Sequence, residues 1–217
     1  MAPQLKYKAA SPVLGEGIFL TRDVATILRL PYAKVRHLMK NFWQVNEFGD
    51  EKNKAVNFYA LIEFYTFFKL RELGVKAVEI KKAHTLLAKE LKTKNPFALS
   101  GIKTDGKMVW YERLGDLIRV DGKNQYVIKE FIEEFLHRIE FGEDNLAKRF
   151  YPVDNSKLVV VDPKHQFGQP TISGRNITTS AIRKLHEGGE SKKDIANLYD
   201  IKLAQVLDAL NYYQRTA

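Results

Sequence analysis

Thr21-Arg22-Asp23-Val24-Ala25-Thr26-Ile27-Leu28-Arg29-Leu30-Pro31-Tyr32-Ala33-Lys34-Val35-Arg36-His37-Leu38-Met39-Lys40-Asn41-Phe42 is the stretch whose reading decides the fold. Thr21 is a suitable helix N-cap, and Asp23 suits the positive end of a helix dipole. Val24, Ala25, Ile27 and Leu28 form one apolar stripe. Pro31 disfavours helix at Leu30, so the chain must turn there. A second helix is expected from Tyr32 to about Phe42, with Val35, Leu38, Met39 and Phe42 inward. Its outer face carries Lys34, Arg36, His37, Lys40 and Asn41. Two short helices across a tight turn, the second basic outside, match a helix-turn-helix. Such a second helix can enter a DNA major groove while cations hold phosphates.

Charge supports that reading. The chain has 217 residues, a net charge of +9 and no cysteine. Residues 1–95 hold 17 basic and 9 acidic side chains, net +8, whereas 96–157 are net −1 and 158–217 net +2. A positive field gathered in one segment attracts polyanions. The absence of cysteine excludes disulfides, zinc-thiolate sites, iron–sulfur clusters and thiol nucleophiles. No apolar run approaches a membrane span, and the first residues lack a signal-peptide core, so a cytoplasmic location is expected.

Working outward, residues 1–16 read as a loose arm and Gly17–Leu20 as a short strand. Residues 44–57 read as a two-stranded ribbon with Gly49-Asp50 near its tip and Lys52 and Lys54 on its return, the size of the wing in a winged helix. The expected DNA-contacting set is Thr21, Arg22, Lys34, Arg36, His37, Lys40, Asn41, Lys52 and Lys54. Asn57 caps a third helix from Phe58 to about Leu73, with six aromatics in eleven residues. Apolar positions wrap most of its circumference, so more than one face needs cover. Either it is the central helix of a monomer, or Phe64, Phe67 and Phe68 meet a second subunit. A fourth helix is expected from Val75 to about Lys94, with Val78, Ala83, Leu86, Leu87 and Leu91 inward.

The middle of the chain reads as a small α+β module. Lys107–Tyr111 and Asp116–Val120 are strand-like beside the turns Asp105-Gly106 and Asp121-Gly122. Val127, Ile128, Phe131, Ile132, Phe135, Leu136 and Ile139 predict a helix over 126–140, with Glu130, Glu133, Glu134 and Arg138 exposed. From Thr178 three short helices follow (Thr178–Glu187, Ser191–Tyr199, Leu203–Gln214), with Ser191-Lys192-Lys193-Asp194 in capping-box form. The expected class is mainly α within α+β: an arm at 1–16, a winged helix-turn-helix at 17–95, an α+β module at 96–157 and a trihelical domain at 158–217.

Catalytic motifs are missing from the sequence. It contains no GxxxxGK[ST], GxGxxG or GxSxG, and its five histidines (37, 84, 137, 165, 186) are not at metal spacing. His37 and His84 are expected at the surface. Glu140, Glu143 and Asp144 are either a solvated turn or, if they converge, a magnesium site for a nuclease. No cofactor is expected.

The C-terminal stretch Val160-Val161-Asp162-Pro163, Phe167-Gly168-Gln169-Pro170-Thr171-Ile172-Ser173-Gly174, Thr178, Gly188, Ser191-Lys192-Lys193-Asp194-Ile195-Ala196, Tyr199, Val206 and Ala209 resembles the domain-of-unknown-function 433 family. The upstream part is similar to the long VapB-like antitoxins of that family, in which a MerR-like winged helix precedes a TDG turn (here Thr104-Asp105-Gly106) and a G-x-Q segment (here Lys123-Asn124-Gln125). Leu70-Arg71-Glu72-Leu73-Gly74 looks like part of the helix pair after a MerR-type wing. One departure is Gly174-Arg175-Asn176, where many members have G-T-R. The MerR resemblance also lacks an effector-binding cysteine and a long dimerising coiled coil.

The resemblance implies an antitoxin that binds and blocks a PIN-like ribonuclease toxin and represses its own operon as a homodimer on operator DNA. Tyr212, Tyr213 and Arg215, with Arg175, are the residues it suggests for toxin contact, although the tyrosines equally suit a bundle core. The alternative is a free-standing MerR-like transcription regulator with no toxin.

Overall fold

The computed structural model describes residues 15–41, 47–48, 54–113, 116–120 and 136–214. The chain is an α+β protein of short helices and small antiparallel sheets.

The first unit begins with β1 (Phe19–Leu20), α1 (Thr21–Ile27) and α2 (Tyr32–Asn41). Then come β2 (Glu47–Phe48) and β3 (Ala55–Val56), and β3 lies between β1 and β2 in one sheet. Phe19 pairs with Val56 and Leu20 with Ala55, so the strand before the helix pair is stitched to the strand after it. Leu20, not Thr21, is the N-cap of α1. Its N–H donates to the Asp23 carboxylate at 2.8 Å, which leaves Thr21 as the first helical residue.

Next comes α3 (Phe58–Glu72), capped by the Asn57 side chain, which accepts from Ala60 N at 3.0 Å. It is buried along nearly its whole length, within one core shared with residues of α1, α2 and the middle strands. Phe64 is fully enclosed and Phe67 nearly so within the chain itself, while Phe68 is partly buried against the same core. Phe64 and Phe67 are therefore core side chains and not an intersubunit surface. The fourth helix, α4 (Ala77–Glu90), is shorter than expected. Ala83 and Leu87 face inward, but Val78 and Leu86, expected inside, are exposed.

The middle of the chain holds a meander of β4 (Ile102–Thr104), β5 (Val109–Arg113) and β6 (Asp116–Arg119), then a hairpin of β7 (Ile139–Phe141) and β8 (Ala147–Phe150). The helix expected over 126–140 falls largely outside the described residues, but its end is not helical. Ile139 pairs with Phe150 in β7, and Arg138, expected on a solvated face, is buried. A period of 3–4 in apolar residues cannot register that a strand partner lies eleven residues further on.

The chain ends with β9 (Val159–Val160) paired to β10 (Thr171–Ile172), then α5 (Thr179–Glu187), α6 (Lys192–Leu198) and α7 (Leu203–Asn211). Thr178 caps α5 by accepting from Ala181 N, and Ser191 caps α6 by accepting from Asp194 N at 3.2 Å. Ile172, Ile182, Ile195, Ala196, Val206 and Ala209 form a core of their own. The larger core runs from Phe19 to Val161 and takes in Tyr212 at the far end of the chain. No helix among the described residues is long and apolar enough to cross a membrane.

Candidate functional site

The α1–α2 pair is fixed from the inside. Val24, Ile27, Val35, Leu38 and Met39 are buried, so α2 can turn in only one way about its axis. The connection is tight. Arg29 adopts φ 54°, and Leu30 N returns to Ala25 O at 2.9 Å. The Pro31 carbonyl then accepts from Lys34 N and Val35 N to open α2. Burial of Val35, Leu38 and Met39 leaves Lys34, Arg36, His37 and Lys40 on the solvent side. Lys34, Arg36 and Lys40 make no ion pair among the described residues. Positive side chains that are solvated and unneutralised are what a phosphate backbone needs.

The remaining members of the expected DNA set divide. Arg22 is exposed on α1. Thr21 is turned inward: its hydroxyl donates to Lys54 O at 3.3 Å and sits 3.2 Å from Met39 Sδ. Its role is to join α1 to β3, because a hydroxyl spent on a backbone carbonyl is not offered to a ligand. Lys54 is half-buried at the start of β3. Asn41 closes α2, and its side chain is not described; Lys52 lies outside the described residues.

The expected toxin-contact set also divides. Tyr212 is buried in the main core, and that burial pushes its phenol well above the ordinary range, so it closes the core and is not a docking residue. Tyr213 is half-buried; its hydroxyl lies 3.0 Å from Thr179 Oγ1, and Arg183 stacks over its ring at 4.7 Å. Arg175 is exposed and donates to Asp200 O at 3.1 Å, bracing the α6–α7 turn. Arg215 lies outside the described residues.

A group of polar residues that the sequence did not single out holds the two ends of the molecule together. Arg138 donates to Tyr151 O at 2.8 Å and to Pro152 O, pairs with Asp154 at 3.0 Å, and lies over the Phe150 ring at 5.0 Å. Asp154 also faces Arg29 at 3.7 Å, and Arg29 donates to Asn211 O at 3.3 Å. The turn between α1 and α2 is thereby linked to the last residue of α7. No sequence pattern signals this, because Arg29, Arg138, Asp154 and Asn211 are far apart along the chain.

Of the acidic residues considered for a metal, Glu140 is already engaged and the other two lie in an exposed turn. Glu140 accepts from Arg149 at 3.0 Å and from the Tyr151 hydroxyl at 2.5 Å, while Glu143 and Asp144 are exposed in the β7–β8 turn. Arg149 also reaches Asp162 at 3.0 Å. Burial works to raise Asp162, but Arg149, the Lys164 N–H and His165 outweigh it and hold the carboxyl below the usual range. No group of three potential metal ligands occurs among the described residues. His84, expected at the surface, is mostly covered and meets the buried Glu63 at 2.8 Å.

A cleft of about 340 Å³ lies where α1 meets the loop before β10, with Ile18, Asp23, Phe167, Gln169 and Ser180 on its walls. Its floor is built by close packing. Ile18 N donates to Phe167 O at 3.1 Å, and Gly168, at φ 84°, accepts the edge of Phe19 where a Cβ would lie 2.4 Å from that ring. The Gly-x-Pro loop is thus a joint between the two ends of the chain.

Residues 159–213 match the family described as "Protein of unknown function (DUF433)". The chain is 30% identical over 169 residues to a protein of Mycobacterium tuberculosis described as "Putative antitoxin VapB45", an alignment covering 71% of this chain and 70% of that one. It is 34% identical over 79 residues to "Uncharacterized protein Rv2308" of the same organism, covering 36% of this chain and about a third (32%) of the relative. The crystal structure of Rv2018 from Mycobacterium tuberculosis superposes with a TM-score of 0.68, covering 92% of this chain and 98% of that one at 20% identity, which is a likeness of fold. With the 30% identity spread over most of both proteins, the chain belongs to the VapB-like antitoxin family.

Proposed function

We propose that the protein is the antitoxin of a type II toxin–antitoxin pair. In this reading it binds and blocks a PIN-like ribonuclease toxin, and it represses its own operon by binding operator DNA through α2. The carrying observation is the basic face of α2, aimed outward by the burial of Val35, Leu38 and Met39. The β1–β3–β2 sheet, in which β3 pairs with both the strand before the helices and β2, supports this reading, and we take β2 and β3 as the wing of a MerR-like winged helix. A homodimer would present two α2 helices to half-sites about one helical turn apart. The working units are 17–95 for DNA, 96–157 as a scaffold and 158–217 for the toxin. The protein is read as non-enzymatic.

The test is binding of the full chain to the DNA upstream of its own gene across a salt series. Replacing Arg36 and Lys40 together by alanine is expected to weaken binding and to flatten the log–log salt slope by about 2 per protomer, or about 4 for the dimer. An unchanged slope would remove α2 from the interface. Co-expression with the adjoining gene, followed by co-purification and rescue of growth, tests the toxin half. Failure of both with DNA binding intact would favour a free-standing regulator.

A further inference from the structure

The chain contains two helix pairs of similar form, and the second helices of the two expose different chemistry; in the later pair the exposed lysines, Lys192, Lys193 and Lys202, lie on α6 and at the N-cap of α7 and not along α7 itself. In the first pair, α2 exposes Lys34, Arg36 and Lys40. In the second, α7 contains no lysine or arginine from Leu203 to Asn211. Its exposed residues include Leu203 and Leu207, which are 41% and 38% exposed, beside Ala204 and Asn211, and Leu198 at the end of α6 is 66% exposed. Leu203 and Leu207 are one helical turn apart and share a face. A helix that reads duplex DNA needs cations for the phosphates, and this one offers leucine.

Beside Leu207 lies a groove of about 220 Å³ between α5 and α7, floored by Leu207, Leu210 and Tyr213. Its rim carries Arg183, His186 and Lys192, against one acid, Glu187, which is already paired to Arg183 at 2.7 Å. Lys192 has no ion pair among the described residues. An apolar floor with surplus positive charge at its edge is complementary to a protein segment that carries an apolar anchor flanked by carboxylates.

We propose that the α7 face and the α5–α7 groove are the surface that docks the toxin, through an acidic amphipathic segment of that protein. This rests on the antitoxin reading and names its contact surface. The leucines supply affinity by leaving water, and Lys192 orients the acidic edge.

The experiment measures affinity of the full chain for the purified protein encoded by the adjoining gene. Leu207→Glu and Leu203→Glu are expected to weaken binding at least tenfold while the melting temperature falls by no more than a few degrees, because both side chains are about two-fifths exposed; the melting curve of each variant shows that it is folded at the binding temperature. Lys192→Glu is expected to weaken it in a salt-dependent way. The triple change Lys34→Ala, Arg36→Ala, Lys40→Ala is expected to leave this affinity intact. If the unaltered chain binds and both leucine variants bind within threefold of it, the docking surface is wrong and the antitoxin reading stands. If the unaltered chain does not bind, the antitoxin reading itself fails. If Leu207→Glu turns a dimer into a monomer on sedimentation, the face belongs to a second copy. If it weakens binding to the upstream duplex, the face belongs to DNA. Either of these last two results overturns the proposal.

Discussion

Arg29 Nη2 donates to the backbone carbonyl of Asn211 across 182 positions of sequence, at 3.3 Å. One side chain, at the turn that aims α2, thus also satisfies the end of α7. Replacing Arg29 by alanine removes this bond and the contact to Asp154. The expected loss is about 1 kcal/mol, read as a fall in Tm of roughly 2–4 °C. Asp154→Ala is expected to cost at least as much, because its carboxylate also pairs with the buried Arg138 and its loss leaves that charge without a counter-ion. A melting series on the two variants and their combination checks the coupling.

Arg138 is harder to replace. Its guanidinium serves two backbone carbonyls and one carboxylate at once, a geometry that an ammonium cannot reproduce. Burial lowers its pKa, and Asp154 partly opposes that. Arg138→Met is expected to cost about 2–3 kcal/mol by leaving the Tyr151 and Pro152 carbonyls without a donor. Arg138→Lys is expected to restore less than half. Chemical denaturation measures both.

The buried pair Glu63–His84 makes stability depend on pH. Burial raises the Glu63 carboxyl above its ordinary value, while the His84 contact and the Phe97 and Ala98 N–H groups work the other way. Between the ordinary glutamate range and the raised value, the folded protein keeps a proton that the unfolded chain has released. The contribution of Glu63 therefore falls as pH rises through that window. Glu63→Gln still accepts from Phe97 N, and it is expected to flatten the dependence. Glu63→Ala orphans that N–H, which now bonds Glu63 at 2.7 Å, at about 1–3 kcal/mol. Denaturation midpoints across pH separate the two.

Gly168 and Phe19 form a steric lock that a double-mutant cycle can expose. At φ 84°, with a Phe19 ring atom 2.4 Å from any Cβ, Gly168→Ala is expected to cost about 2–4 kcal/mol from strain and overpacking. Phe19→Leu costs on its own, because Phe19 is almost wholly buried. In combination the two are expected to be less damaging than their sum. Strict additivity would mean that the clash is relieved elsewhere.

Legibility in the sequence followed the range of the interaction. Asn57 and Ser191 were readable as caps because each satisfies an N–H three residues away. The outward face of α2 was readable because Val35, Leu38 and Met39 recur at helical spacing. The helix expected to reach residue 140 was misjudged at its end, since Ile139 answers to Phe150 and not to its neighbours. Thr21, His84 and Arg138 lie elsewhere than sequence reading expects for a similar reason, each having a partner brought in from elsewhere in the chain, whereas Tyr212 takes the core position that the sequence left open beside toxin contact. Phe64 and Phe67 could have faced a core or a subunit, and only three-dimensional packing distinguishes the two.

What the sequence by itself determined is the helices outside 126–140, the caps at Asn57, Thr178 and Ser191, the charged face of α2 and the family motifs, because periodicity, capping and net charge are properties of neighbouring residues. The tertiary structure decided which polar side chains are spent inside. Arg29, Arg138 and Glu63 are committed to partners that chain folding brings near. It also decided that Leu203 and Leu207 stay partly exposed, because a helix with apolar residues on several sides can bury only the side its neighbours cover.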